Sequence, residues 1–566
     1  MSSSMASADD GESHSEWPMF GQNLQNTASN AGERKISTLN VTTLAPKWVK
    51  ETGGDVSARA AVVDGVVYFP DWGGNVWALD AKTGARIWQH QLSDYGLPAG
   101  TISRTSPAVQ DDTVYIGTGA EAKGAGAYLL AINAKTGVLR WKTPLDTSTG
   151  AALTSSPAVL DEVVYTGVSG NPEETAAADD SNKCCMFRGS AVAVNAKTGA
   201  ILWQRYMAPP GYSGVSVWGS NPVVDARRKT MFIGTGNNFS TPTDPAYVDC
   251  IKEGHRPKFC LSAGDYVDSI VALDIGTGRI KWSRRLTDGD DYNLACLAKR
   301  IDLPPPPPPV GKNCPGTPAG ADMGADFDFG SAPNEFSVRV REARGHHDGH
   351  RDEQRDVIGA GQKSGIYSAF DADTGDFRWG TQVGPGGSLG GILWGSATDG
   401  ERIYVAISNS EHLPYYPAGT GVGKAGSWSA LDPTTGEILW QTPDPNVVVS
   451  GLSGSPLPVD PKGGAVDTGP MTVANGVVYA PSMGAAKPCD PPKACATEPL
   501  PNMFALDAAT GKVLWSYPSG GSVNAGAVVV DGVVYWGSGY SNLPEIKWFV
   551  GNNKTGKFYA FSLGGK

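Results

Sequence analysis

Charge is scarce in this chain: only 18% of its 566 residues are Asp, Glu, Lys or Arg. The 46 basic residues are outnumbered by 57 acidic ones, for a net charge of -11. Such a surface is a poor match for a polyanion, which argues against nucleic acid as a partner. It leaves room for a basic protein partner. No apolar run is long enough to cross a bilayer as a helix. The stretch from Met1 to Ser15 is small and polar, without the basic start and apolar run of a signal peptide. Residues 1–16 therefore read as a disordered or artificial tail, and export has to be argued on other grounds. No Cys-x-x-Cys-His occurs, so no covalent haem is expected on this chain. A Rossmann βαβ unit for a dinucleotide is also missing.

What is abundant is glycine, 73 residues, and proline, 41. That composition suits a β protein with many tight turns. There are eight cysteines, in four sequence-local pairs: Cys184 with Cys185, Cys250 with Cys260, Cys296 with Cys314, and Cys489 with Cys495. An even count so arranged points to disulfides and an oxidising compartment.

One motif recurs: a short apolar strand, Asp or Asn, two residues, Thr-Gly, then a strand ending in Trp. It reads ALDAKTGARIW up to Trp88 and returns at Trp141, Trp203, Trp282, Trp379, Trp440 and Trp515. Thr-Gly sits where a hairpin needs a residue of positive φ. Ahead of it come paired apolar runs broken by turn residues, such as AVVDGVVYFP from Ala61 and VVVDGVVYWG from Val528. Each unit thus holds four short antiparallel strands, the content of one propeller blade. Trp48 supplies an eighth Trp ahead of the first full motif, and the C-terminal KTGKFYAFSL keeps the turn without one. Pairing of N- and C-terminal strands would close the ring and leave no open edge. The expected fold is all-β, an eight-bladed β-propeller of four-stranded blades, with residues 17–566 as a single domain.

The Trp spacings of 40, 53, 62, 79, 97, 61 and 75 residues mostly exceed a bare blade of roughly 40–45. The excess lies in loops at about 238–268, 287–330, 408–427 and 485–502. The second contains Pro304 to Pro309, a stiff extended run. Long loops on one face of a propeller commonly roof a binding site.

The repeat resembles that of the quinoprotein alcohol dehydrogenases, and so does the opening Trp17-Pro-Met-Phe-Gly-Gln-Asn. Cys184-Cys-Met-Phe-Arg-Gly-Ser190, Asp326-Phe-Asp-Phe-Gly330, Gly361-Gln-Lys-Ser-Gly365 and Gly390-Gly-Ile-Leu-Trp-Gly395 narrow the likeness to the polyvinyl-alcohol-dehydrogenase-like branch. The resemblance runs from about residue 17 to 564. It implies pyrroloquinoline quinone (PQQ) and a divalent cation held on the axis of the ring, and a periplasmic enzyme.

The same resemblance implies roles for individual residues. Asn237 and one of Glu173 and Glu174, with Glu174 favoured, match oxygen ligands of Ca²⁺. The base that takes the alcohol proton falls in Asp326-Phe-Asp328, with Asp328 favoured. Asp326 is the alternative base or a further cation ligand. Were both to bind the metal, a lanthanide would become conceivable. Lys363 matches the cation beside the quinone carbonyls, and Arg104 a contact to a quinone carboxylate. Thr154 and Ser155 are hydroxyl candidates for the same cofactor. Trp218 is not a repeat tryptophan and matches the indole on which the quinone stacks. Trp394 could lie nearby, although an ordinary core role is the simpler reading. Cys184-Cys185 as a vicinal disulfide would lie near the site. Its position in blade three differs from the segment before blade two used by the best-known relatives, so stacking on the quinone is not carried over.

The run from Arg341 to Asp356 holds His346, His347 and His350. Three histidines can bind zinc, but the run reads first as an exposed polar insertion. The expected reaction is oxidation of an alcohol, a secondary one or a bulky polymer by the branch, by hydride transfer to PQQ. Electrons would leave to an external cytochrome c. The competing readings are a non-catalytic scaffold of the outer-membrane-assembly type and a quinoprotein sugar dehydrogenase.

Overall fold

A computed structural model describes residues 15–119, 126–219, 221–296, 310–316, 323–342, 351–415, 425–446, 465–484, 501–540 and 555–566. Cys489, Cys495, the Pro304–Pro309 run and the three histidines at 346, 347 and 350 lie outside these residues.

Eight antiparallel sheets of four consecutive or closing strands make the ring. Blades one to four span Ala61–Gln91, Ala108–Asp146, Ala158–Tyr206 and Val223–Arg285. Blades five to seven span Asn334–Gln382, Ala397–Pro443 and Thr472–Tyr517. Blade eight joins the strands within Val528–Leu563 to Leu44–Glu51, with Trp48 opposite Ala560. The ring is therefore closed by its two ends, as the unpaired Trp48 motif implied. Burial grades outward within a blade. The first strands bury nearly every residue, whereas the fourth, such as Ile201–Tyr206, is largely open to solvent.

The repeated tryptophans lock neighbouring blades. Each indole N–H donates to a main-chain carbonyl of the adjoining blade: Trp88 to Ala134, Trp141 to Ala196, Trp203 to Ile275 and Trp282 to Ala372, at 2.7–3.2 Å. Trp379, Trp440, Trp515 and Trp48 do the same to Pro433, Ala508, Leu44 and Ala81. The Thr-Gly turn of the next blade lies against the indole face. At Gly199, with φ +74°, an added Cβ would come within 2.8 Å of Trp141. Backbone conformation and packing both demand glycine there. Aromatic burial of this kind, repeated eight times, accounts for much of the interblade cohesion.

The segment before the first blade is an inner hoop. Trp17 exchanges two hydrogen bonds with Val62 of blade one. The carbonyls of Pro18, Leu24, Gln25, Thr27 and Ala28 then accept from Val109, Val224, Glu335, Thr398 and Val473, at 2.8–3.0 Å. Asn30 Nδ2 donates to Val529 O of blade eight. Seven of the eight blades are tied to this one strand of chain, which covers their innermost edges.

Of the expected loops, the first folds into two short helices, Pro245–Lys252 and Pro257–Cys260, joined by the Cys250–Cys260 disulfide. The second carries the Cys296–Cys314 disulfide. With Cys184–Cys185 bonded as well, three of the four sequence-local cysteine pairs are disulfides, and among the described residues no cysteine is free. No helix among the described residues is long and apolar enough to cross a membrane.

Candidate active site

Three separate stretches of chain meet on one face of the ring. Blade four ends a strand at Gly234 and delivers Asn237. The insertion after blade four delivers Asp326 and Asp328. The turn after Arg351–Gly361 in blade five delivers Lys363. The Lys363 ammonium lies 2.7 Å from Asp326 Oδ1 and 3.1 Å from Asp328 Oδ2, with all three side chains at most 5% exposed. Trp218 Nε1 donates to Asp328 Oδ2 at 2.7 Å, and the Asn237 main-chain N–H donates to Asp328 Oδ1 at 2.6 Å. Gly236 makes this approach possible, because a Cβ there would stand 2.9 Å from the Asp328 carboxyl. The ammonium also sits 5.0 Å from the Trp218 ring, a cation–π contact.

The electrostatics follow from packing so many carboxyls around one ammonium. Burial would push the Lys363 ammonium down, but Asp326, Asp328 and Glu174 outweigh it and hold the proton more tightly than in an ordinary lysine. Burial drives the Asp326 carboxyl well above the usual range, with Lys363 pulling it back and Asp328 adding to the rise. Glu174 is raised to about 7 by burial, again with Lys363 opposing and Asp328 and Asp290 adding. Raised carboxyls beside a fixed cation are what proton transfer near neutral pH requires.

The acidic pair at 173–174 stands on a short helix, Asn171–Ala176, rather than in an open loop. Its two members part company. Glu173 accepts the main-chain N–H groups of Met186 and Phe187 at 2.9 and 2.8 Å, and so pins the vicinal disulfide loop. Glu174 is the one that feels Lys363 and Asp328. Cys184 and Cys185 pack beside Asn293 and the Phe239 carbonyl, two residues past Asn237.

A cavity lined by residues of several blades adjoins this cluster through Trp394, and none of Asn237, Asp326, Asp328 or Lys363 lines it. Arg104, Thr154 and Trp394 line it together with Arg59, Ser156 and Asn221. Trp394 is a correction to the simple core role. It has φ +59°, meets Trp218 edge-on at 5.8 Å and lies under the Arg104 guanidinium at 5.4 Å. Ser155 is fully buried and its carbonyl accepts the Thr166 hydroxyl at 3.0 Å, whereas Thr154 and Ser156 line the cavity, as alternate residues of an extended segment do. Among the described residues Arg104 pairs with no carboxylate. It donates to the Tyr540 hydroxyl and keeps a buried Nε without a partner.

The residues present suit the groups that the resemblance implies. Asn237 is 1% exposed, its Nδ2 donates to the carbonyls of Asn238 and Tyr292, and its Oδ1 has no partner. An orphaned amide oxygen next to carboxylates is the donor chemistry of a hard cation. Among the described residues no three His, Cys, Asp or Glu side chains converge tightly on one point. Amide and other oxygens would therefore complete the set. An uncompensated arginine on the cavity wall suits an anionic ligand.

Sequence reasoning missed the supporting shell. Asp290 accepts the N–H groups of Asp326 at 3.0 Å and Phe327 at 2.7 Å. It thereby holds Asp326 at its positive φ of 58°. Tyr292, fully buried, stands near enough to Asp326 for that charge to raise its hydroxyl after burial has done most of the work. Both lie in an insertion with no periodicity to mark them; the doublet Asp290-Asp291 was the one available signal.

The family described as outer membrane protein assembly factor BamB matches residues 10–183 and 362–546. A polyvinylalcohol dehydrogenase from Pseudomonas sp. is 27% identical over 97% of this chain and 77% of its own length. A second, from Sphingopyxis sp., is 28% identical over 89% of this chain and 70% of its own. Among solved structures, quinohemoprotein alcohol dehydrogenase from Comamonas testosteroni superposes with a TM-score of 0.64 at 19% identity, covering 98% of this chain and 81% of that one. That last likeness speaks to the fold.

Proposed function

The chain belongs to this propeller family, among its quinoprotein alcohol dehydrogenases, and on that premise we propose that it oxidises a secondary alcohol, of polymeric or bulky type, to the ketone. When bound, PQQ supplies the hydride-accepting orthoquinone and Ca²⁺ the Lewis acid. Asn237 Oδ1, Glu174 and the 326–328 carboxylates would hold the cation. Arg104 would take a carboxylate of the quinone, with Thr154 beside it, and Trp218 and Trp394 would give it an aromatic wall.

The single observation behind this reading is the buried cluster of Lys363 with Asp326 and Asp328. Burying one ammonium among several carboxyls costs several kcal/mol per ion in desolvation, so such a cluster is a poor device for stability alone. A scaffold has no use for it. Within the pair, Asp328 is committed to Trp218, Asn237 and Lys363, whereas among the described residues the Asp326 carboxylate pairs with Lys363 only. Asp326 is therefore assigned as the base that takes the hydroxyl proton, and Asp328 as the group that fixes the indole and the lysine. This reverses the preference drawn from sequence. Lys363 keeps a positive charge where negative charge develops on the acceptor. The polyvinylalcohol dehydrogenase relatives support the substrate class. Three disulfides support an oxidising compartment, here the periplasm, and electrons would leave to an external cytochrome c.

Reconstitution tests the reading. Purified protein is mixed with PQQ and Ca²⁺, desalted, and assayed by dye reduction against primary alcohols, secondary alcohols, sugars and oligomeric polyvinyl alcohol. Turnover highest with secondary alcohols is the expected result. Absence of turnover together with loss of PQQ on desalting would return the chain to the scaffold class.

A further inference from the structure

A second buried acidic pair, outside the Lys363 cluster, lies between blades six and seven. Asp444 follows the last strand of blade six and is 4% exposed; Asp467 precedes the first strand of blade seven and is 0% exposed. Burial raises both carboxyls; Asp444 raises Asp467 further, the contact with Asp467 lowers Asp444, and the Ser482 hydroxyl stands beside both and lowers both. Asp444 Oδ1 accepts the Asn446 main-chain N–H at 2.7 Å. Beyond that and the nearby Ser482 hydroxyl the pair is bare. Asp444 Oδ2 and both oxygens of Asp467 have no hydrogen-bond partner. Among the described residues no lysine or arginine reaches either carboxylate.

Two buried acids elsewhere in the ring are treated differently. Asp71 accepts from Gly53, Gly73, Asn75 and Trp77. Glu33 accepts from Lys35, Ile36 and Gly532. A buried carboxylate without such donors is driven to neutralise itself or to take a cation. One shared proton would bridge a single pair of oxygens and leave the third bare; a hard cation uses all three. Glycine also guards the spot, since a Cβ at Gly426 would come 2.5 Å from Asp467 Oδ2.

We propose that Asp444 and Asp467, with the Ser482 hydroxyl, bind a second divalent cation, Ca²⁺ by the all-oxygen donor set, which clamps blade six to blade seven. Water and main-chain oxygens would complete its coordination. The site is independent of the quinone chemistry and is tested without it.

Chelator-treated protein, free of PQQ, is titrated with Ca²⁺ by calorimetry and by equilibrium dialysis. The variant Asn237→Ala, which cripples the active-centre site, should still bind one Ca²⁺ per chain and still melt at a higher temperature when Ca²⁺ is added. Asp467→Asn should lose that ion and that shift, yet keep dye-linked turnover after reconstitution. Should Asp467→Asn not fold, Asp444→Asn replaces it, and the Asn237→Ala titration stands alone as the deciding measurement. No Ca²⁺ bound by Asn237→Ala, or equal binding by Asp467→Asn and the unmodified chain, overturns the proposal and leaves a proton-sharing pair. Loss of turnover in reconstitution with the second ion retained would count against the quinone reading alone.

Discussion

Asp326 and Asp328 differ by two positions and by very little else in sequence, yet their surroundings give them separate work. Asp328 is anchored from three sides, and Asp326 is left with the ammonium of Lys363 as its one strong partner. Asp326→Asn should lower kcat by about 10²–10⁴-fold, the range for a general base, with PQQ still retained after desalting. Asp328→Asn should instead loosen the site, raising the loss of cofactor as well as lowering the rate. Equal rates for Asp326→Asn and the unmodified chain would remove the assignment. Which of the two aspartates is the base was not legible in the sequence, because the answer depends on donors from Trp218 and Asn237, about a hundred residues earlier. The same holds for Glu173 and Glu174, adjacent on one helical turn but pointed at different neighbours. Arg104, Asn237, Trp218 and Lys363 could be singled out in the sequence only through the resemblance of their motifs to the quinoprotein alcohol dehydrogenases.

At the scale of elements, the strand-turn-strand unit explains itself from sequence. Alternation, Asp-Gly turns and the Thr-Gly–Trp pair specify four strands and the contact to the next blade. Gly199→Ala tests the coupling of turn and indole. It forces a side chain into positive φ and against Trp141, so stability should fall by roughly 1–3 kcal/mol, read by denaturant unfolding with activity at low denaturant preserved. An Ala variant as stable as the parent would show that the turn relaxes without cost. The insertions were legible only as length. Their disulfides could be paired by proximity in sequence, but the short helices at 245–252 and 257–260 carry few residues to betray a period. Their role in shaping the site comes from tertiary contacts. The Asp444–Asp467 pair was hidden for the same reason: 23 residues separate two acids that look like ordinary loop polarity.

The whole molecule concentrates carboxyls in its interior, and that sets how its stability responds to pH. Burial raises Asp265 to about 7, Asp291 to about 8 and Glu335 to about 8, with neighbouring charges adding to the rise for Asp291 and Glu335. Each binds its proton more tightly folded than unfolded. The stability so contributed is complete below about pH 4, the unfolded value, and is lost as pH climbs through 7 to 8. Cation-free protein should therefore melt at a lower temperature at pH 8 than at pH 5.5 by scanning calorimetry. Glu335→Gln, next to Arg228, Asp225 and Asp356, should flatten part of that slope. A melting temperature that rises from pH 5.5 to 8 would contradict the raised values.

The inner hoop has a consequence for how such a ring can be made. Ser15 hydrogen-bonds to Asp531, 516 positions away, and Trp17 to Ala28 wait on partners scattered over most of the intervening chain. A ribosome releases these residues before any blade, but they are among the last able to dock. Contacts of such span make assembly slow, and until the eighth sheet is paired the inner rims of the others stay unsatisfied and open to wrong partners. Completion of the ring and seating of the hoop thus become one concerted event, so that a chain cut short before blade eight gains neither.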